Sequence, residues 1–578
     1  MKSLKQEDSL KESSIYEYHK FTKHTVKKLT SSGHFLDWAN QPEPFLTYTD
    51  ATRIELSRKI SDPATGYGEL VKKFLVGLQD NNQGDLVDLR LEESDEFISN
   101  LLFFGTAISA WKQVKGTDNK WALRVNASSG NLHPTETSVI IGDTDLFSSL
   151  NPGLYHYSVL DHALEKRIEG DILPEIWKQL GYSIAPPPVL LCVSSIFWRE
   201  AWKYRDRAFR YCHLDLGHAL ASLTLSASLS GWQSFILSLF VDQDMVNLLG
   251  MADSPEKPVA FIALEPSLIK TMKPLFNENS LERTYYQSTF KPDIQGTPIE
   301  LSENEIKYSS IEKAYKATIY DKELFEKTVS KKTFNPAVDI EPGAMKSCGR
   351  EILLERNLDR IIFRHELKKA CPAIRTRRSA VDMDGKSGME LEELEALIVF
   401  SSSGYRADYQ RPVSFDGGTI DPSGACNLVD FYFYIHRVEG LKIGLYYFDR
   451  LRFALVPLAY HDQKEVAMVT SCFQEIASDG AFSISMIANF NKAVQLYGER
   501  GYTLAHNEAG FNGQMLYLAV NSLGFDATGI GCFIDDMINE YLVLNPGFEV
   551  IYNFTVGRAV VDSRLTTLPS YPFCKTII

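Results

Sequence analysis

Lys203-Tyr204-Arg205-Asp206-Arg207-Ala208-Phe209 and Leu496-Tyr497-Gly498-Glu499-Arg500-Gly501-Tyr502 are two versions of one stretch. Continued without a gap, they set His213 against His506, Asp215 against Glu508, Gly217 against Gly510 and Gly231 against Gly524, at a constant offset of 293 (496 − 203). Upstream, Gly153-Leu154-Tyr155-His156-Tyr157 matches Gly444-Leu445-Tyr446-Tyr447-Phe448 at an offset of 291 (444 − 153). Solenoid units run about 20–50 residues, so this repeat is of another kind. It describes a duplicated domain whose copies pair as the subunits of a dimer would, with a shared site free to specialise.

The bulk properties agree. A chain of 578 residues holds two large domains, and 44% apolar with 23% charged residues is ordinary for a globular protein. A net charge of −14 argues against nucleic acid as a partner. The eight cysteines are scattered, without a C-x-x-C or a Cys/His pair at zinc-site spacing, so no metal is expected and a reducing compartment is. The N-terminus, MKSLKQEDSLKESS, is polar and has no apolar core of a signal peptide. The most apolar stretch, 214–229, contains Asp215 and His218 and is too short to span a bilayer. The expected location is the cytoplasm, away from membranes.

The division expected from the repeat is 1–270 for the first copy, 271–370 for a connector without a counterpart, and 371–578 for the second copy. Ser387-Gly388-Met389-Glu390 predicts a capping box ahead of an amphipathic helix, and Phe431-Tyr432-Phe433-Tyr434-Ile435 predicts a strand. Asn507 to Leu523 and Leu214 to Ser230 predict long helices rich in small residues, ending at Gly524 and Gly231. Strands and long helices alternate without a βαβ rhythm, so the fold class is α+β.

Three motifs carry chemistry. In Arg375-Thr376-Arg377-Arg378-Ser379, adjacent guanidiniums match phosphate oxygens in pairs, although a solvated basic turn has the same composition. Asn126-Ala127-Ser128-Ser129-Gly130-Asn131-Leu132-His133-Pro134 is a tight polar loop, either a connection or a set of donors for a flat heterocycle. Its counterpart is Pro422-Ser423-Gly424-Ala425-Cys426-Asn427. Thr528-Gly529-Ile530-Gly531-Cys532-Phe533 is glycine-rich but matches neither a Walker loop nor a full Rossmann fingerprint. His213 and His506 read as buried interface residues.

Taken in order, Arg377-Arg378-Ser379, the two polar loops, the Gly-Leu-Tyr strand, the tyrosine-arginine stretch, the long helix and Gly529-Ile530-Gly531-Cys532-Phe533 resemble the nitroreductase superfamily. Leu36-Asp37-Trp38-Ala39-Asn40-Gln41-Pro42 and Asp562-Ser563-Arg564-Leu565-Thr566-Thr567-Leu568-Pro569 resemble its SagB-type branch, which includes azoline dehydrogenases. The resemblance implies two nitroreductase-like domains in one pseudo-dimer, binding one FMN between them. It implies that Arg377, Arg378 and Ser379 grip the phosphate with help from Arg558, although Val381 stands where the family often has a basic residue. It also implies that Gly531 and Cys532 lie beside the flavin, and that Ser128, Ser129 and Asn131 of the first copy touch its ring. The first copy lacks an Arg-Arg-Ser; its expected counterpart near Tyr48-Thr49-Asp50-Ala51-Thr52-Arg53 has one arginine.

The Lys-Tyr pair proposed for base catalysis in that branch is Lys203-Tyr204 here, against Leu496-Tyr497 in the second copy. Each half has kept what the other lost, by division of labour or by drift. A lysine base needs its pKa brought from about 10.4 toward about 7. Arg207, one turn later, would serve unless it is paired with Asp206. The implied activity is an FMN-dependent dehydrogenase or oxidase. It removes a proton and a hydride from a peptide-derived or small heterocyclic substrate, with azoline to azole as the named case and biosynthetic pathway proteins as partners. An internal pseudo-dimer implies a monomer. An NAD(P)H-dependent nitro or quinone reductase and a non-catalytic scaffold for a peptide or partner protein remain open.

Overall fold

The computed structural model describes residues 13–31, 35–60, 62–76, 94–266, 283–330, 342–402, 404–409, 414–416, 418–421 and 427–574. Two seven-stranded antiparallel sheets dominate it. The first contains β1 (Arg53–Glu55), β2 (Thr135–Ile141), β3 (Gly153–Ser158), β4 (Ala163–Glu169), β5 (Val189–Ser195), β6 (Trp232–Leu237) and β7 (Lys257–Pro266), in the order β1-β4-β3-β2-β5-β7-β6. The second contains β8 (Ile352–Leu353), β9 (Val429–Ile435), β10 (Gly444–Asp449), β11 (Ala454–Ala459), β12 (Phe482–Asn489), β13 (Asp526–Ile530) and β14 (Phe548–Gly557), in the order β8-β11-β10-β9-β12-β14-β13. Each label is seven above its counterpart, so the halves share one topology and the class is α+β. The edge strand β8 comes from inside 271–370.

The repeated Gly-Leu-Tyr shows why the two halves trace one path. In both halves a β-bulge falls between the leucine and the tyrosine, at Leu154/Tyr155 and Leu445/Tyr446. Both glycines lie where a side chain would strike the neighbouring strand: a Cβ on Gly153 would sit 2.6 Å from the Ile168 carbonyl, and one on Gly444 2.1 Å from that of Ala459. Both tyrosines donate to the carbonyl four residues back, Asn151 and Lys442. A bulge that needs glycine and a hydroxyl anchor survives divergence because each part is required.

Four helices build the seam: α1 (Phe197–Tyr204), α2 (Ala208–Leu229), α3 (Phe490–Tyr497) and α4 (Arg500–Ser522). The long helices end at Gly231 and Gly524, both at positive φ, as expected, but α4 begins seven residues before Asn507. The two long helices cross with backbones touching. A Cβ on Gly217 would lie 2.1 Å from the Asn507 carbonyl, and one on Gly510 1.9 Å from the Leu214 carbonyl. Three ion pairs also join the halves. Arg207 and Arg210 reach Asp535 at 3.0 and 2.7 Å, and Arg500 pairs with Asp242. Asp242 and Asp535 are themselves related by the offset of 293 (535 − 242). Burial raises both carboxyls; two guanidiniums overturn this at Asp535, whose pKa is depressed, and one does not at Asp242.

Chain ends tie the halves further. Leu565–Leu568 adds a strand to the first half's hairpin at Ile108–Val114, and Tyr571 donates to the Val159 carbonyl. The helix Ser14–Thr22 caps the arginine cluster, with carbonyls of His19 and Thr22 accepting from Arg210 and Arg207. The predicted capping box is displaced. Met389–Glu390 forms a short parallel bridge to Val438–Glu439, Ser387 turns to Asp384, and the Glu393 carboxylate accepts from the Glu390 N–H at the head of the helix Leu391–Ser402. Among the described residues no helix is long and apolar enough to cross a membrane.

Gly510→Ala decides whether the crossing sets stability. Helix propensity alone would stabilise the variant by about 1 kcal/mol. The collision with the Leu214 carbonyl should instead destabilise it by about 3 kcal/mol or more, read by denaturant unfolding.

Candidate active site at the seam

The helix Ala370–Thr376 ends at the paired arginines. Arg375 is committed to structure: it donates to the carbonyls of Phe103 and Ile108 and to the Ser570 hydroxyl, and lies over the Phe103 ring. Arg377 is buried and donates to the carbonyls of Val125 and Arg124, but its Nη1 has no partner. Arg378 donates to the Ser109 hydroxyl and to the carbonyls of Arg375 and Arg377. Burial, then the charges of Arg377 and Arg375, push its guanidinium down to about 9. Among the described residues no carboxylate pairs with any of these three arginines. Lys112, from the first half's hairpin, is close enough to Arg378 for its own pKa to fall, by burial first and that charge second. The exposed Ser379 shares a 2.8 Å hydrogen bond with the Tyr517 hydroxyl, which also accepts from the Gly529 N–H at 2.7 Å. Arg558 turns away, donating to the Gly524 carbonyl over the Phe525 ring at the end of α4.

The polar loop of the first half faces the same seam. Gly130, Asn131 and His133 all have positive φ, a concentration of strain that a plain connection would not need. Ser128 and Ser129 turn inward: both hydroxyls and the Ser129 N–H donate to Asp215 at 2.6–2.9 Å. Asn131 bonds the Ala122 carbonyl and His133. Lys203 and Tyr204, at the end of α1, flank this loop; a Cβ on Gly130 would lie 2.8 Å from the Tyr204 hydroxyl and 3.0 Å from Lys203 Nζ. The counterpart loop 422–426 lies outside the described residues.

Behind the pair lies a carboxyl couple that sequence reading missed in part. Glu200 is fully buried one turn before Lys203, and neither oxygen has a hydrogen bond of regular geometry. It nevertheless lies close enough to Asp215 to share a proton. Burial and the Asp215 charge raise Glu200 well above the usual range, while burial brings Asp215 up to about 6 against the serine donors. The Asp215/Glu508 repeat was the available signal. Lys112 and Glu200 had none, because neither belongs to a motif.

Gly531 sits against Tyr211, whose hydroxyl donates to the Gly531 carbonyl, and the Tyr211 ring lies 4.4 Å from that of Tyr204. Gln514 bridges the halves, accepting from the Ala127 N–H and donating to the Val125 carbonyl. Cys532 lies 2.8 Å from Cys472 and 3.9 Å from His24 Nδ1. Arg207 is paired neither with Lys203 nor with Asp206; Asp535 of the other half holds it. His213 is buried against Asn507, and His506 against the Tyr502 carbonyl, as expected of interface histidines.

Topology corrects one alignment. Arg53 belongs to β1, the counterpart of β8, not of the Arg-Arg-Ser turn. The helix Tyr67–Val76 packs on α2 as Ala370–Thr376 packs on α4, so the counterpart of Arg377-Arg378-Ser379 follows Val76. That stretch, 77–93, lies outside the described residues and contains no Arg-Arg-Ser.

The family described as "Nitroreductase family" matches residues 119–264, the heart of the first half. A protein of Methanocaldococcus jannaschii, provisionally named a nitroreductase, is 26% identical over 124 residues, which are 22% of this chain and 63% of that protein. This chain thus spans less than two thirds of that relative. A crystal structure from Anabaena variabilis, also provisionally described as a nitroreductase, superposes with a TM-score of 0.68 at 23% identity. It covers 95% of this chain and 100% of its own, so the whole two-sheet fold has a counterpart.

The carboxyl couple predicts a pH signature. The Asp215 carboxyl titrates at about 6 in the folded chain, against 3.8 for an ordinary aspartate. Its contribution is therefore fully present below that lower value and lost as pH rises through the upper one, up to about 3 kcal/mol. Asp215→Asn cannot ionise. Wild type should therefore lose stability relative to the variant across this window in thermal melts, whereas a gap that does not change with pH contradicts the assignment.

Proposed function

We propose that the chain is an FMN-dependent oxidoreductase with one composite site, built where two diverged copies of a duplicated domain, 1–270 and 371–578, meet across 271–370. The observation that carries this reading is the pair Arg377 and Arg378, gathered at the seam with no carboxylate paired to either among the described residues, while Lys112 lies near Arg378 and also feels the Asp562 charge. Buried like charges are costly unless an anion joins them, and the unpartnered Nη1 of Arg377 is a donor in waiting. This donor set fits a phosphate monoester. Arg377, Arg378 and Ser379 would hold it, with Lys112 added from the first half, while the glycines at 529 and 531 make room for the Tyr552 and Tyr211 rings. Bound FMN would supply the acceptor for a hydride.

The chain's own residues supply the proton handling. Lys203 Nζ and the Tyr204 hydroxyl lie together beside Gly130, where a substrate C–H next to nitrogen or sulfur would lose its proton to the lysine. Asp215 fixes the Ser128–Ser129 turn that shapes this wall, and the buried Glu200 carboxyl, pushed upward by burial and the Asp215 charge, lies beneath it. The substrate class is a peptide-derived or small heterocycle, with azoline to azole as the specific proposal. The nitroreductase family match favours a second reading, reduction of nitro compounds or quinones by NAD(P)H.

The test is the visible spectrum of the purified chain, with released cofactor identified and counted. About one FMN per chain is expected. Arg378→Met should weaken FMN binding by about 10- to 100-fold, through loss of a charge-assisted contact. The same variant should raise the melting temperature of the flavin-free chain, because it relieves the repulsion from Arg377 and Arg375. No flavin after incubation with excess FMN would sink the proposal and favour the scaffold. Rapid bleaching by NAD(P)H would favour the reductase.

A further inference from the structure

His24, Cys472 and Cys532 lie far apart in the chain, yet one ligand atom from each falls within 4.8 Å of the other two. We propose that they form a binding site for a thiophilic cation, zinc(II) above all, with two thiolates and one imidazole as ligands. The inference is independent of the flavin.

The ligand chemistry is selective. Two sulfurs and an imidazole nitrogen suit zinc or copper(I) and reject magnesium and calcium. In a tetrahedral zinc site with bonds of about 2.3 Å to sulfur and about 2.0 Å to nitrogen, neighbouring ligand atoms lie about 3.5–3.8 Å apart. The His24 to Cys532 separation, 3.9 Å, would close by about 0.4 Å to reach the nitrogen–sulfur spacing of such a site. The two sulfurs, 2.8 Å apart, would open by about one ångström as the cation enters. A thiol pair destined only for a disulfide has no need of an imidazole directed at it.

The supports are built to hold these side chains. Cys472 and Phe473 both take positive φ, at 58° and 61°, a conformation non-glycine residues rarely adopt. The Gln474 side chain donates to the Cys532 carbonyl, and the Ile534 N–H to the Thr470 carbonyl, so the two cysteine loops are laced together. The His24 N–H donates to Asp535, itself clamped by Arg207 and Arg210. Asp535 is consumed by these contacts, and no fourth His, Cys, Asp or Glu joins the group among the described residues. Three protein ligands leave one position for water or a small molecule. The cation would staple the segment around His24 to the loop carrying Gly531 and Cys532, beside Tyr211.

Cobalt(II) is the probe, added to the full-length reduced chain and displaced by zinc. The expected result is about one cobalt per chain, with near-ultraviolet thiolate-to-cobalt charge transfer and the visible bands of a tetrahedral ion. Cys472→Ser and His24→Ala should each weaken binding by about tenfold or more, while Cys348→Ser, at an exposed cysteine outside the group, should not. His24 lies on a partly exposed segment, so its loss leaves the core intact and keeps the test meaningful if a cysteine variant misfolds. Absence of the charge-transfer band, equal binding by His24→Ala, or a Cys472–Cys532 disulfide by mass spectrometry that excludes cobalt would each overturn the proposal.

Discussion

The backbone contact between Gly217 and Gly510 is the constraint on which the rest depends. Any side chain at either position would penetrate the opposite helix, so the two long helices can approach this closely only here. That approach fixes the spacing of the halves and places a pseudo-twofold axis beside the two glycines. Asp215, which gathers the Ser128–Ser129 turn, is two residues before Gly217 on α2. Tyr517, which holds Ser379 and Gly529, is seven residues after Gly510 on α4. The proposed site therefore hangs from both helices within two turns of the axis. A small change in their separation would move its two walls relative to each other.

Equivalent positions around the axis have kept their geometry while changing their chemistry. Glu508 accepts from the N–H groups of Leu428 and Val429, whereas the shorter Asp215 collects serine hydroxyls and leaves room for Glu200. Asp535 faces two arginines and stays ionised far below the usual range, while its twin Asp242 faces one and is pushed upward by burial. Lys203 stands where the other half has Leu496. Such differences are open to a fused pair and closed to a symmetric homodimer, in which each change would appear twice.

The parts legible in the sequence were those the symmetry requires. Glycines at a helix crossing, glycine and tyrosine at a bulge, and arginines reaching across an axis cannot be exchanged without loss, so the offset survives at them. Contacts made by single long side chains were not legible. Lys112 sits on a hairpin with no motif, and Arg558 follows the right strand yet turns to the Gly524 carbonyl, which needs a donor at the end of α4. Ser387 offered a capping pattern but found Asp384 nearer, and the glutamate three residues after Glu390 took over the helix start. His24 and the two cysteines were invisible for a different reason: ligand spacing along a chain is informative only when one loop supplies the ligands.

Several departures from ordinary local rules meet at the seam. Asn131 and His133 of one loop at positive φ, an arginine nitrogen without a partner, guanidiniums crowded without a paired carboxylate, and a buried glutamate pushed well above its usual range all lie there. Each costs about 1–3 kcal/mol in isolation, and the surrounding sheets and helices, whose propensities and pairings agree, hold them in place. They lie where the halves meet and each half holds residues the other lacks, Arg377, Arg378 and Ser379 on one side and Lys203 on the other, as the proposed composite site requires. A merely structural interface would have settled into apolar packing.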